Sequence, residues 1–244
     1  MAVLGGLGLD AATPSFEWWP AALLGAVLVL AALWQQRTAF GLLVGAVAGA
    51  AFWLPHISWL SLYLGPIPWL ALSTVMIAWF ALFGLVAALT TRGLAVWSLR
   101  SDSRVATIAL VVAQPLAVAG LWVAREQLQS TWPYGGFAWG RLAHTAADSP
   151  FVALVSWLGF AGLSGVLACF AALAVTLIFT AKRLGTRLTI GWAAVAALVA
   201  VALTFVGPAT LESNGTVRVG AVQGNSKSVI FDDRDNGDVL RDHI

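Results

Sequence analysis

Hydrophobic residues run along this chain in long blocks, parted by short clusters of charge. The stretches free of Asp, Glu, Lys and Arg are Trp18–Gln36, Thr38–Thr91, Val105–Ala124, Ser149–Ala181 and Leu188–Leu211. A helix that crosses a bilayer needs roughly 20 apolar residues, because about 30 Å of hydrocarbon is covered at about 1.5 Å per residue. The block from Thr38 to Thr91 is long enough for two such helices. Leu64-Gly65-Pro66-Ile67-Pro68 marks the turn between them, since proline lacks an amide donor and drives the preceding residue out of the helical region. The pattern predicts six spans, near 18–34, 39–61, 68–91, 105–124, 151–181 and 189–207. The predicted fold class is therefore an all-α polytopic membrane helix bundle over residues 1–207.

Composition sharpens this reading. Of 244 residues, 60% are hydrophobic and 10% are charged, whereas a soluble domain carries about 25% charged residues. An ordinary soluble protein, a disordered chain and a nucleic-acid binder are all excluded. The net charge is only +2, and the 13 tryptophans suit a membrane–water boundary. A single cysteine leaves no disulfide framework and no cysteine-based metal cluster.

Charge also orients the spans. One set of alternate loops holds Arg37, then Arg92, Arg100 and Arg104, then Lys182, Arg183 and Arg187. The opposite set, before the last span, holds only Arg125 and Arg141. The positive-inside rule puts the first set in the cytoplasm. The N-terminus, the loops at 62–67 and 125–149, and everything after Gly207 are then expected outside. Met1–Ala12 is apolar and glycine-rich without a basic start, so it is not a secretory signal. It is too short to span, and two readings stay open: the tail of a helix that begins earlier, or a loose interfacial arm.

Gly41, Gly45 and Gly49 share one face of the second span, and Gly159, Gly162 and Gly165 recur every three residues in the fifth. Both sets are expected to seat neighbouring helices closely, because small residues let backbones approach in lipid. After Gly207-Pro208 the composition turns polar. Residues 208–215 read as a linker, and Thr216–Val222 alternates in the period of a strand. Gln223-Gly224-Asn225 ends that strand, and a helix is expected around Asp238. One strand buries no core alone, so residues 216–244 read as the opening of an α/β or β domain.

Candidate chemistry concentrates in the loop 125–149, with Arg125-Glu126 followed by Trp132-Pro133-Tyr134-Gly135-Gly136-Phe137-Ala138-Trp139-Gly140-Arg141. Rings interleaved with glycine suit the headgroup layer, where arginine meets phosphate. Two readings stand: an aromatic anchor with a simple Arg125–Glu126 surface pair, or a rim for a lipid substrate. Cys169, in mid-span, reads as a small buried hydrophobe. His56 reads as a packing residue, and His144 and His243 show no ligand spacing, so no metal site is predicted. These residues alone fit a transporter, a lipid-modifying enzyme or a membrane anchor.

An ordered set of motifs narrows the choice. Pro14-Ser15-Phe16-Glu17-Trp18-Trp19-Pro20, Leu121-Trp122 with Glu126, Gly136-Phe137-Ala138-Trp139, the small-residue span with Leu158-Gly159 and Gly162-Leu163-Ser164, and Val219-Gly220-Ala221-Val222-Gln223-Gly224-Asn225 occur in sequence. Together they resemble the apolipoprotein N-acyltransferases, which complete bacterial lipoprotein maturation. Ala138 replaces the family's usual proline, and Phe231 stands near where many relatives have tryptophan. The resemblance implies that residues 216–244 begin an extracytoplasmic nitrilase-like (carbon–nitrogen hydrolase) domain. It also implies that the family's catalytic glutamate, lysine and cysteine lie beyond Ile244, so that no catalytic residue is expected within the chain. The family's first and final spans are likewise expected outside it. The implied activity passes an acyl chain from a phospholipid, through a cysteine thioester, to the α-amino group of a diacylglyceryl-cysteine on a lipoprotein. No cofactor or metal is implied. Tyr134, Phe137, Trp139, Glu126 and Phe231 are the expected substrate-binding residues. A polyprenol-phosphate sugar synthase is a further partner that the resemblance suggests. The alternatives are a non-catalytic membrane scaffold and a transporter-like subunit.

Overall fold

The computed structural model describes residues 1–14, 16–101, 103–210 and 215–221, without the side chains of Tyr63 and Leu64. The chain forms α1 (Ala2–Ala11), α2 (Trp19–Leu33), α3 (Thr38–His56), α4 (Leu60–Leu64), α5 (Pro66–Ser101), α6 (Arg104–Gln129), α7 (Val155–Leu184) and α8 (Thr186–Thr204). Two short 3-10 turns, Leu142–Ala146 and Val152–Leu154, precede α7.

Five of these helices, α3 and α5 to α8, are long and apolar enough to cross a membrane. The chain is a multi-pass membrane protein. The first expected span falls in the right place but is shorter than a crossing needs. Helix α2 has 15 residues, about 22 Å at 1.5 Å per residue. Glu17 with φ 54 and Gln35 with φ 55 turn the backbone at its two ends. Helix α3 stops at His56, just after Pro55, rather than continuing to 61. The turn expected at 64–68 is present: Gly65 takes φ 78, and α5 starts at Pro66. With 36 residues, α5 reaches about 54 Å, so its Arg92–Arg100 end outruns the hydrocarbon.

Helix α3 lies along α5, and α6 along α7, while α1 packs on α2 and α3. The core holds Trp34, Trp53, Trp122, Phe80 and Met76, all but fully buried. The expected seam on α3 exists. A Cβ at Gly41 would stand 2.5 Å from that of Ala88 and 2.7 Å from the Gly84 carbonyl oxygen, and one at Gly45 would strike the Phe80 carbonyl. The seam expected on α7 does not form. A Cβ at Gly159 would meet nothing within 4 Å, one at Gly162 only Leu158 of the same helix, and one at Gly165 only Val123 Cγ2 at 3.4 Å. Gly159 instead breaks the helix, with φ 65 and ψ 179.

Met1–Ala12 is not a loose arm. Its helix buries Gly5, Gly6 and Leu9, and a Cβ at Gly25 of α2 would sit 2.7 Å from the Gly5 carbonyl oxygen. Polar side chains tie helix to helix inside the bundle. Gln114 Nε2 donates to the Thr91 carbonyl at 2.8 Å, and the Gln35 amide donates to Thr91 Oγ1 at 3.0 Å. Helix α8 touches α7 and has no buried residue. Residues 216–221, the described part of the expected strand, form no strand, and Val217 and Val219 lie exposed. A lone alternating segment has no neighbour to complete its ladder. The remainder of the expected domain opening, from Val222 to Ile244, lies outside the described residues. That stretch includes the expected Gln223-Gly224-Asn225 turn, Phe231 and the helix near Asp238.

Candidate functional site

The loop between α6 and α7 closes one end of the bundle. Helix α6 ends at Gln129, and Ser130 caps it by donating from both its amide and its hydroxyl to the Glu126 carbonyl, at 3.1 and 2.6 Å. The chain then reverses through Tyr134, Gly135 and Gly136, whose φ angles are 52, 91 and 73. At Gly136 any Cβ would collide with the Ser130–Thr131 backbone, so glycine is required there. The return is fixed by the Phe137 amide, which donates to the Gln129 carbonyl at 2.8 Å.

Arg125 and Glu126 correct the expectation of a surface pair. They are 5% and 1% exposed, with Arg125 Nη2 at 3.6 Å from Glu126 Oε1. That oxygen also accepts from the Trp122 indole and from the Leu142 amide, both at 2.8 Å. The Arg125 guanidinium lies 4.4 Å from the Phe80 ring centre and 5.0 Å from that of Trp122. Its Nη1 donates to Gln129 Oε1 at 3.1 Å, and Gln129 Nε2 reaches toward the Phe137 and Trp139 carbonyls at 3.4 and 3.5 Å. Buried charge is tolerated only when paired and hydrogen-bonded. Here the pair serves as a latch, tying α6 to both halves of the loop.

Above the latch the rings gather. Phe137 is half-buried between Trp53 and Trp139, at 5.9 and 5.8 Å between ring centres, and Trp139 meets Trp59 at 5.5 Å. Trp139 is 56% exposed, and Tyr134 stands fully exposed at the loop tip. The structure thus brings Phe137 and Trp139 together beside Gln129 and holds Tyr134 apart from them. Trp53 and Trp59 join the rim without having been singled out from the sequence, where they read only as the end of a span.

Beside Trp139 lies a cleft of about 300 Å³, lined among others by Thr13, His56, Arg141, His144 and Thr145. His56 stacks on Phe52 at 4.8 Å, and its Nδ1 is 3.8 Å from Asp10 Oδ1. Partial burial, and then the Arg141 cation, hold the His144 imidazole below its ordinary range, with Glu126 opposing. Among the described residues, no cluster of three His, Cys, Asp or Glu side chains could hold a metal ion. Cys169 is half-buried rather than sealed, on an apolar groove between α7 and α8 that Trp192 and Leu203 also line. The chain leaves α8 beside the start of α7: Trp157 Nε1 donates to the Gly207 carbonyl at 2.9 Å, and the Ala209 amide donates to Ser156 Oγ at 2.8 Å.

Comparison with known proteins agrees with the motif order. Residues 5–173 match the family model of the apolipoprotein N-acyltransferase N-terminal domain. An apolipoprotein N-acyltransferase from Coxiella burnetii (strain RSA 493 / Nine Mile phase I) is 28% identical over 237 residues, covering 92% of this chain and 45% of that protein. The chain therefore spans a little under half the length of that curated relative. With most of its helical bundle matched, the chain belongs to the apolipoprotein N-acyltransferase family and carries that family's N-terminal domain.

Proposed function

We propose that this chain is the membrane part of an enzyme that N-acylates lipoproteins, and that its aromatic loop guides the donor lipid. In this reading the reacting cysteine, its glutamate base and the oxyanion-stabilising lysine belong to a nitrilase-like domain that follows α8, at positions beyond Ile244. The thiol, deprotonated by the glutamate, attacks a phospholipid ester and releases a lysophospholipid, leaving a thioester. The α-amino group of a diacylglyceryl-cysteine then takes the acyl chain and frees the thiol. The loop distribution of arginine and lysine supports placing the aromatic rim and the exit of α8 outside the cytoplasm.

The observation that carries the proposal is the latched rim. Glu126 and Gln129 hold Phe137 and Trp139 at the end of the bundle where the chain leaves α8. An acyl chain rising from the bilayer toward a cysteine exposes methylenes, each costing about 0.8 kcal/mol in water. Covering two of them is worth about tenfold in rate. In the enzyme expressed from the whole reading frame, Trp139→Ala should lower turnover of long-chain phospholipid about tenfold. A short-chain soluble donor should be affected little. Equal loss with both donors, at unchanged protein level, reduces the loop to an anchor.

A further inference from the structure

The geometry points to a phosphate-binding site in the cleft beside Trp139, whose ligand is the phosphodiester of an outer-leaflet phospholipid. Arg141 is its centre. Arg141 Nε donates to Ser130 Oγ and its Nη2 to Gln127 Oε1, both at 3.2 Å. Those two bonds orient the guanidinium and leave three of its five N–H groups unused. No carboxylate among the described residues lies within ion-pair distance of it; the two ion pairs there are His56–Asp10 and Arg125–Glu126. An anchored, unneutralised guanidinium offers a planar fork suited to phosphate oxygens.

The rest of the cleft fits an anion better than a hydroxylated or cationic group. Thr13 and Thr145 already commit their hydroxyl protons to the Asp10 and Leu142 carbonyls, at 2.6 and 2.7 Å. The side-chain donors left on its lining are Arg141, the Trp139 indole and the imidazoles of His56 and His144. Asp10 contacts His56 but does not line the cleft. Gly140 and Arg141 border it, and neither main-chain amide donates to another described residue. A volume near 300 Å³ lies at the lower end of ligand sites and suits a headgroup rather than an acyl chain. Trp139 belongs to both cleft and rim, so a phosphate held at Arg141 puts the attached acyl chains alongside the exposed rings. This placement deepens the lipid-donor reading above, although binding itself needs no catalysis.

Native mass spectrometry of the purified 244-residue chain tests it with three probes: phosphatidylglycerol, diacylglycerol of the same chains, and inorganic phosphate. One phosphatidylglycerol should be retained and diacylglycerol should not. Arg141→Gln should cut retention about tenfold, and Arg141→Lys about threefold. Arg100→Gln, at the far end of α5, should stay within about twofold. Should Arg141→Gln fail to fold, His144→Phe should still cost about threefold, and no loss there overturns the site. Equal retention of phosphatidylglycerol and diacylglycerol also overturns it. Phosphate bound in an Arg141-dependent way, with lipid retention unchanged in Arg141→Gln, overturns the lipid source. Because the assay reads binding alone, an inactive whole enzyme would sink the acyl-transfer reading and leave this one standing.

Discussion

The glycine row of α3 and the glycine row of α7 carry similar sequence signals and end in opposite states. Gly41 and Gly45 stand against Gly84, Ala88 and the Phe80 carbonyl so closely that an added methyl has no room. A Cβ at Gly159 would meet nothing within 4 Å, one at Gly162 only Leu158 of its own helix, and one at Gly165 only Val123 of α6. Glycine spacing permits close approach but does not cause it. In lipid no hydrophobic drive pulls helices together, so the facing helix must supply its own small residues. Helix α5 does this with Gly84 and Ala88, whereas α6 meets Gly165 with the branched side chain of Val123.

The largest effect of close packing falls on α6, at the end of the bundle closed by its loop. Glu126→Ala strands the Arg125 charge, the Trp122 indole and the Leu142 amide in a buried setting. Removing one partner of a buried pair costs about 3–5 kcal/mol. Denaturant unfolding of the detergent-solubilised chain should show that loss, and Glu126→Gln, which keeps an acceptor for both N–H donors, should show less. A loss below about 1 kcal/mol for the alanine variant would return Arg125–Glu126 to the strength of a surface pair.

The next test sets the two flanks against each other. Gly45→Val forces a branched side chain onto the Phe80 carbonyl of α5. Overpacking of that kind costs about 1–3 kcal/mol. Gly165→Ala adds a methyl at ordinary contact distance from Val123 and should change stability by no more than about 0.5 kcal/mol. Similar losses at both positions would mean that the glycine face of α7 is packed as tightly as the α3 seam.

How much of this was legible beforehand depends on whether the signal is local. The charge-free blocks placed every long helix, because hydrocarbon demands apolar length wherever a helix crosses. The Leu64–Pro68 turn was legible too, since Gly65 and Pro66 act within the turn itself. The burial of Arg125 and Glu126 was not, because their partners Phe80 and Leu142 lie on another helix and a returning loop. The break at Gly159 was missed for a related reason: spacing makes it resemble Gly41, and only its backbone angle shows the difference. Tyr134, Phe137 and Trp139 were correctly placed on one loop, but the cleft needs His56 from α3 and Thr13 from the α1–α2 connection. Such assembly across the chain has no period to read.

The smallest effect carries the comparison to a change of sign. Gly191 sits inside α8 with nothing within 4 Å of an added Cβ. Alanine there restricts the unfolded chain and favours helix, a gain of about 0.4–1 kcal/mol. The same substitution at Gly41 meets the Ala88 methyl at 2.5 Å and the Gly84 carbonyl oxygen at 2.7 Å, so it should destabilise. The chemical change is identical, the helices are both membrane-length, and only the facing surface differs. Unfolding midpoints of Gly41→Ala and Gly191→Ala, measured in one detergent, should therefore move in opposite directions. If Gly191→Ala also lowers the midpoint, then the face of α8 bearing Gly191 is covered in the folded protein, and the contrast between the two flanks fails.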